Sequence, residues 1–133
     1  MKTMPDAKPT ILMVEDDLDI AYILKLTLER EGYEIVHAAD GRDALDLVRS
    51  IAPPRLALLD VMLPRLDGIL LITFIRSRPD WADVPVVMLT AKTEASDVFQ
   101  AISAGANSYI AKPFLPLALV ERLRPFLNRG LAA

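Results

Sequence analysis

Residues 10–17 of the chain read TILMVEDD, an apolar run of strand length that stops abruptly at three acidic residues. Directly behind the acids, apolar residues recur at the spacing of one helical face. These residues are Ile20, Ile23, Leu24 and Leu28. Gly32 follows at the position where a glycine is expected to close a helix. The stretch therefore predicts a short buried strand, an acidic loop and an amphipathic helix.

The same unit, a strand followed by a helix, recurs to the end of the chain. The further predicted strands are Glu34–His37, Leu56–Leu59, Pro85–Leu89 and Ser108–Ala111. The further predicted helices contain Ala44, Leu47, Val48 and Ile51, then Gly68–Arg76, then Ala95, Phe99 and Ile102, and finally Leu119, Val120 and Leu123. The first, third and fourth strands are continuous apolar runs, which indicates a parallel sheet covered by helices on both faces. The pattern predicts a three-layer α/β domain.

Polar residues stand where the predicted strands end. Glu15 and Asp16 follow the first strand, and Asp60 follows the third. Thr90 ends the fourth strand, and Lys112 follows the fifth. Because binding sites in such sheets form beyond the carboxyl ends of the strands, we expect these side chains to meet. Crowded carboxylates need a counter-charge, and oxygen ligands of this kind suit Mg2+, while the ammonium and the hydroxyl could bind phosphate oxygens.

Length and composition restrict the class of protein. The chain has 133 residues, which matches one domain of roughly 100–150 residues. We expect residues 1–9 to form a flexible tail, residues 10–129 the domain, and residues 130–133 a C-terminal tail or the start of a linker. The absence of cysteine excludes a disulfide scaffold and suits a reducing compartment such as the cytoplasm. The net charge of -3 disfavours nucleic-acid binding, and no apolar run reaches the roughly 18 residues that a membrane span needs.

Four segments together resemble the strand-end motifs of bacterial response-regulator receiver domains. They are ILMVEDD, LALLDVMLP with Asp67-Gly68, VVMLTA and YIAKPF. Each segment alone is weak evidence, whereas their order and spacing are specific, and the resemblance extends from about Thr10 to about Leu127. It implies a doubly wound (βα)5 fold with the flavodoxin-like strand order 2-1-3-4-5. It also implies a domain that accepts a phosphoryl group in a two-component phosphorelay.

The resemblance implies roles for individual residues. Asp60 would accept the phosphoryl group, and Lys112 and Thr90 would bind its oxygens. A Mg2+ ion would be held by Asp16 directly, Glu15 through water, Asp60 and the backbone carbonyl of Met62. Thr90 and Tyr109 would form a switch pair, and the Lys112-Pro113 bond would be cis.

The resemblance also implies partners. A sensor histidine kinase or a phosphotransfer protein would donate the phosphoryl group, and a downstream protein would recognise the fourth helix, fifth strand and fifth helix. Nucleic acid and membrane are not expected partners of this domain, and a homodimer is left open. Asn107 and Ser108 replace an acidic pair of many DNA-binding relatives, which puts the charge-stabilised dimer of those relatives in question. Leu70, Phe74 and Val98 are further candidates for a partner surface.

Two other functions are compatible with an aspartate at the end of a strand. An aspartate-based phosphatase or phosphotransferase would need a second aspartate just after the nucleophile, but position 62 is Met and no insertion is long enough for a substrate cap. A receiver-like scaffold that takes no phosphate would lack Asp60, Lys112 or the acidic pair, and all are present. A stand-alone regulator and the receiver part of a longer protein are both compatible with the sequence.

Three residues receive structural interpretations. Asp17 is expected to help start the first helix. Pro125 is expected to end or kink the last helix near Arg124. His37 is interpreted as a surface or strand-edge residue, because a single histidine cannot make a metal site.

Overall fold

A computed structural model describes residues 8–60, 68–91 and 95–128. The strands are β1 (Thr10–Val14), β2 (Glu34–Ala38), β3 (Leu56–Asp60), β4 (Val86–Thr90) and β5 (Ser108–Ala111). The helices are α1 (Leu18–Arg30), α2 (Gly41–Ser50), α3 (Gly68–Ser77), α4 (Ala95–Ala104) and α5 (Pro116–Leu127), with a short 3-10 helix at Pro79–Trp81. Most of the two predicted tails lies outside the described residues. None of the described helices is long and apolar enough to cross a membrane.

The strands form one parallel sheet in the order β2-β1-β3-β4-β5, which confirms the predicted fold. Every residue of β3 and β4 is buried, as expected for strands covered on both faces. The register pairs Val14 with Leu59 and Asp60 with Leu89, so β1, β3 and β4 end at nearly the same height. The strand order reverses between β1 and β3, and the carboxyl edge at this switch point is where a site is expected.

Alternate residues of each strand point to opposite faces of the sheet, and different helices cover each face. Leu12 and Leu59 lie on the face that packs against α2, α3 and α4. Ile11 and Leu58 lie on the face that packs against α1 and α5. The buried residues of α3 lie on one stripe of the helix: Gly68, Leu71, Ile72 and Ile75.

Two other apolar stripes differ from those predicted for α1 and α4. The buried residues of α1 are Ala21, Leu24 and Leu28. Ile23, which the spacing placed on the same stripe, is exposed. In α4, Ala101 is buried, whereas Phe99 is 71% exposed and Ile102 also faces solvent. A helix on a sheet buries a stripe of only about 100°, and packing sets the rotation of that stripe about the helix axis.

The last helix continues past Pro125 to Leu127, so the predicted end near Arg124 is wrong. Pro125 lies in the last turn, where a proline removes a single intrahelical hydrogen bond. The backbone N–H of Asn128, just after the helix, donates to the Arg124 carbonyl at 3.0 Å, so the helix stays hydrogen-bonded beyond the proline. Leu127 is buried in the core, and this burial stabilises the last turn.

Gly32 closes α1 as predicted. Its φ of 96° lies in the left-handed region that favours glycine. Its backbone N–H donates to the Glu29 carbonyl at 3.0 Å, and the N–H of Tyr33 donates to the Leu28 carbonyl at 3.3 Å. These bonds satisfy carbonyls that the helix end would otherwise leave without partners, and they turn the chain into β2.

Candidate functional site

The parallel ladder brings the polar strand-end residues to one edge of the sheet. Glu15 directly follows β1, Asp60 ends β3, Thr90 ends β4, and Lys112 directly follows β5. The backbone N–H of Lys112 donates to the Thr90 carbonyl at 2.8 Å, which extends the pairing of β4 and β5 to this edge. Side chains from four separate segments therefore share one small region.

Lys112 bridges two buried carboxylates. Its Nζ atom donates to Oδ2 of Asp60 at 3.0 Å and lies 2.9 Å from Oε1 of Glu15. Glu15 is fully buried, and Asp60 is only 5% exposed. Two carboxylates in a shared buried site repel each other, and one ammonium balances only one of their charges. The three groups therefore carry an excess negative charge when both carboxylates are ionised.

Burial determines the protonation of Glu15. Loss of solvent raises the pKa of Glu15 to about 7, and the nearby Asp60 charge acts in the same direction. Hydrogen bonds from Lys112 and from the backbone N–H of Asp17 act against this rise. Burial also disfavours the charged form of Lys112, but the Glu15 and Asp60 carboxylates outweigh it and raise the pKa of Lys112 above its usual value. Lys112 is thus an ammonium at neutral pH, whereas Glu15 gives up a proton readily when a cation binds.

Three carboxylates at this edge suit a divalent cation. Glu15, Asp16 and Asp60 each offer one oxygen, and these oxygens lie within 4.8 Å of one another. Asp16 is exposed, so the group borders solvent. Mg2+ prefers oxygen ligands and keeps several waters, and it would offset the excess negative charge. The backbone carbonyl of Met62, the remaining expected ligand, lies outside the described residues.

Asp17 starts α1, as the sequence predicts. Its Oδ1 atom accepts the backbone N–H groups of Asp19 at 3.0 Å and Ile20 at 3.2 Å. Its own backbone N–H donates to Oε2 of Glu15 at 3.1 Å. The residue that caps the helix therefore also orients the Glu15 carboxylate, a contact that sequence reasoning missed.

His37 makes a second contact that sequence reasoning missed. The residue is exposed on β2, the outer strand, in agreement with its interpretation as a strand-edge residue. Its Nε2 atom, however, lies 2.8 Å from the backbone carbonyl oxygen of Glu15. Only the position of His37 in the sequence could have indicated this contact. The second predicted strand ends at His37, and the neighbouring first strand ends just before the acidic pair.

Thr90 and Tyr109 lie on neighbouring strands and on the same face of the sheet. Thr90 is buried, two residues after Met88, and Tyr109 is half-buried against the core on the α4 side. The register pairs Tyr109 with Met88 and Thr90 with Ala111. The carbonyl of Tyr109 accepts from Nη2 of Arg122 at 2.8 Å, which links β5 to α5. The Lys112-Pro113 peptide bond, shortly after β5, is cis, as the resemblance implied.

The candidate partner residues differ in exposure. Leu70 is 59% exposed, whereas Val98 is half-buried. Phe74 is also half-buried, and the Arg49 guanidinium lies 5.3 Å from the centroid of its ring. Phe99 is a more exposed apolar residue of α4 than Val98. Leu70 therefore presents an apolar surface, while Phe74 is already covered in part by the protein.

Asn107 is engaged within the fold. Its Oδ1 atom accepts from the backbone N–H of Val86 at 2.8 Å and from Nη2 of Arg76 at 2.9 Å. Arg76 also donates to the carbonyls of Gly105, at 3.0 Å, and Ala82, at 3.2 Å. The Asn107 amide oxygen thus braces the start of β4 against α3.

A doubly wound sheet with a lysine-bridged carboxylate pair at its switch point defines a receiver-type signalling domain. Residues 11–124 match the model of the response regulator receiver domain, and the chain belongs to this family. It is a phospho-accepting domain of two-component signalling.

Known proteins of this family resemble the chain closely. It is 42% identical over 127 residues to the DNA-binding response regulator MtrA of Mycobacterium bovis. The aligned region covers 96% of this chain and 54% of MtrA. The chain thus spans about half the length of the curated relatives it matches. A CheY-like response regulator receiver domain protein from Methanospirillum hungatei superposes with a TM-score of 0.86 at 30% identity, covering 94% of this chain and 98% of that one.

The receiver domain of a sensor histidine kinase from Pseudomonas aeruginosa is also similar. It has a TM-score of 0.83 at 31% identity and covers 92% of this chain and 99% of its own. That structure has a magnesium ion coordinated in its active-site cleft.

Proposed function

We propose that Asp60 accepts a phosphoryl group from a histidine kinase or a phosphotransfer protein, and that this modification switches a protein-interaction surface. The observation that supports this proposal most directly is the environment of Asp60. This residue ends β3, is almost fully buried, and its carboxylate accepts a hydrogen bond from Lys112 at 3.0 Å. The ammonium orients the carboxylate and offsets part of the negative charge of the site. This partial offset lessens the repulsion that an anionic phosphodonor meets, and a bound cation would lessen it further.

The chemistry is a phosphoryl transfer. An oxygen of Asp60 forms a bond to phosphorus while the P–N bond of a phosphohistidine breaks, and the electron pair of that bond leaves with the imidazole nitrogen. The product is an acyl phosphate on Asp60. Such transfers need positioning and charge neutralisation more than covalent help from the protein. Lys112 supplies an ammonium and Thr90 a hydroxyl donor for the phosphoryl oxygens.

The proposed direct protein ligands of Mg2+ are Asp16, Asp60 and the carbonyl of Met62, and Glu15 is proposed to bind the ion through water. When bound, Mg2+ would neutralise charge that develops on the phosphoryl oxygens. The proposal is supported by the clustering of the three carboxylates and by the magnesium ion in the related receiver domain from Pseudomonas aeruginosa. With these residues the domain would assist its own phosphorylation and dephosphorylation, as a signalling switch and not as an enzyme with a diffusible substrate.

The phosphodonor is proposed to dock on apolar residues beside the site. Leu18 begins α1, just after the acidic pair, and is 67% exposed. Leu115 precedes α5, three residues after Lys112, and is 74% exposed. Both follow strands that end at the edge where Asp60 lies. A protein donor could bury these side chains while its phosphohistidine reaches the carboxylate, and a small phosphodonor would gain nothing from them.

The switch is proposed to run from Asp60 to Tyr109. Phosphorylation adds charge and strong acceptors, which would draw the Thr90 hydroxyl toward the phosphoryl group. Movement of Thr90 would alter the space available to Tyr109, which packs on the same face of the sheet. Two packings of this pair would give the α4, β5 and α5 surface two states, and phosphorylation would shift the population between them.

The downstream partner that binds this surface is proposed to be a protein. MtrA is named as a DNA-binding response regulator, but the matching region is about half of its length. The present chain has a net charge of -3, which is unfavourable for binding to nucleic-acid phosphates. If a longer protein contains this chain, DNA contact is therefore expected outside the receiver domain.

Incubation with acetyl phosphate and Mg2+, followed by measurement of intact mass, tests the proposal. We expect the wild-type chain to gain the mass of one phosphoryl group and the Asp60→Asn variant to gain none. Asp83→Asn is the matched control, because Asp83 is an exposed aspartate that precedes β4 at the opposite edge of the sheet. A wild-type chain that gains no phosphate, or an Asp60→Asn variant that gains as much as wild type, contradicts the proposal.

A further inference from the structure

His37 holds the backbone of the acidic pair through a hydrogen bond. Its Nε2 atom lies 2.8 Å from the carbonyl oxygen of Glu15. A carbonyl oxygen can only accept, so Nε2 must carry the proton, either in the neutral Nε2–H tautomer or in the imidazolium. The bond therefore persists in both of these protonation states. It is also partly buried, which shields it from competition by water.

The bond fixes the peptide unit that joins Glu15 to Asp16. The carbonyl of Glu15 and the N–H of Asp16 belong to this one planar unit, so holding the oxygen limits rotation of the whole plane. The backbone N–H of Glu15 is held as well, because it donates to the Ala38 carbonyl at 3.1 Å. Two adjacent residues of β2, His37 and Ala38, thus bind both backbone groups of Glu15.

We propose that His37 is a positioning residue for Mg2+, acting through the Glu15–Asp16 peptide unit. This inference rests on the proposed function, in which the carboxylates on either side of that peptide unit bind the cation. Metal affinity depends on outer contacts that hold the ligands in place, because ligands that must be ordered on binding cost free energy. Without the imidazole, the peptide unit gains freedom that the cation must then remove.

Variants that separate the hydrogen bond from the bulk of the side chain test the inference. His37→Leu removes the donor, whereas His37→Gln offers a side-chain N–H from the same strand position. We expect His37→Leu to raise the dissociation constant for Mg2+ about fivefold, the effect of one net hydrogen bond. His37→Gln should recover most of the affinity. Glu34→Leu is a control for loss of a polar, exposed residue of β2, and it should bind Mg2+ as wild type does.

A titration with Mg2+, monitored by amide chemical shifts, measures the dissociation constants for Mg2+ without any phosphodonor. In the metal-free protein, the Asp16 amide shift reports the same bond, because its N–H lies in the peptide unit whose carbonyl accepts from His37. We expect that shift to change in His37→Leu and to return toward wild type in His37→Gln. The midpoint of urea unfolding, measured in EDTA, verifies that each variant is folded.

An unchanged dissociation constant in His37→Leu overturns the inference. So does a His37→Gln variant that binds as weakly as His37→Leu, because packing and not the donor would then be responsible. A wild-type chain that binds no Mg2+ overturns this inference together with the proposed metal site. Normal Mg2+ binding without phosphorylation of Asp60 would count against the proposed function alone, and the titration would still decide the role of His37.

Discussion

The Nζ atom of Lys112 donates a hydrogen bond to Oδ2 of Asp60 at 3.0 Å, between residues 52 positions apart in the chain. The same atom lies 2.9 Å from Oε1 of Glu15. One ammonium is therefore shared by two buried carboxylates. The ammonium offsets one of the two carboxylate charges, which lessens the repulsion of an anionic donor, and the remaining negative charge favours a cation.

Replacement of Lys112 by Met should slow phosphorylation by acetyl phosphate at least about tenfold, because the ammonium that meets the phosphoryl oxygens is lost. The variant should also be destabilised more at about pH 8 than at about pH 6, since Glu15 can take up a proton at the lower pH and relieve its repulsion with Asp60. Intact-mass time courses measure the rate, and urea unfolding in EDTA measures the stability.

Lys25→Met is the control for this prediction. Lys25 forms an exposed ion pair with Glu29 at 3.6 Å on α1, and such pairs contribute only about 0–1 kcal/mol. The control should be phosphorylated at the wild-type rate. Phosphorylation of Lys112→Met at that same rate would remove Lys112 from the reaction.

The protonation of Glu15 should make stability depend on pH in the metal-free protein. Burial raises the pKa of Glu15 from an ordinary value of 4.5 to about 7 in the folded chain. Between these values the folded state binds the proton more tightly than the unfolded state. The contribution of Glu15 to the free energy of unfolding therefore falls as pH rises through this window. Urea unfolding in EDTA at several pH values should show a more negative slope for wild type than for Glu15→Gln.

Binding of Mg2+ should have the opposite pH dependence. The cation requires ionised Glu15, so its affinity should rise as pH increases toward and through about 7. Glu15→Gln should weaken binding and flatten this dependence. If stability and Mg2+ affinity depend on pH in the same way in wild type and in Glu15→Gln, Glu15 does not titrate in this range.

Variants of Thr90 and Tyr109 should separate the rate of phosphorylation from the structural change that phosphorylation causes. Tyr109→Ala should be phosphorylated within about twofold of the wild-type rate, because Tyr109 supplies no group to the phosphoryl oxygens. It should lose the change in hydrogen exchange of α4 and β5 that phosphorylation causes in wild type. Thr90→Ala should lose the same change and also react more slowly, whereas Thr90→Ser keeps the hydroxyl and should retain both. A wild-type exchange response in Tyr109→Ala would exclude the proposed pair.

Two glycines with positive φ should respond differently to alanine. Gly32 and Gly105 have φ values of 96° and 124°. A Cβ atom at Gly32 would meet nothing within 4 Å, whereas one at Gly105 would lie 2.6 Å from Cγ of Arg76. We expect Gly32→Ala to cost about 1 kcal/mol of stability and Gly105→Ala about 2–4 kcal/mol.

The difference depends on how firmly Arg76 is held. Its guanidinium donates to the carbonyls of Gly105, Trp81 and Ala82 and to Oδ1 of Asn107, so it cannot move without losing these bonds. Urea unfolding of the two alanine variants measures the costs directly. Similar losses of stability would mean that Arg76 shifts aside easily.

The sequence itself determined the order of strands and helices and the edge of the sheet at which the polar strand-end residues meet. Strand ends and helix ends are local features, marked by acidic residues, by Gly32 and by the spacing of apolar residues. Parallel strands present their carboxyl ends at one edge, so Glu15, Asp60, Thr90 and Lys112 could be assigned to one region before any distance was known.

Tertiary structure alone decided how each helix is rotated and which side chains touch. It exposes Ile23 and Phe99 despite their helical spacing, and it places Phe74 beneath Arg49. These outcomes depend on packing between segments distant in sequence, which periodicity within one segment does not encode. The raised pKa of Glu15 has the same origin, because desolvation reflects all the atoms that surround the carboxylate. So does the bond from His37 to the Glu15 carbonyl, which exists only because β2 pairs with β1.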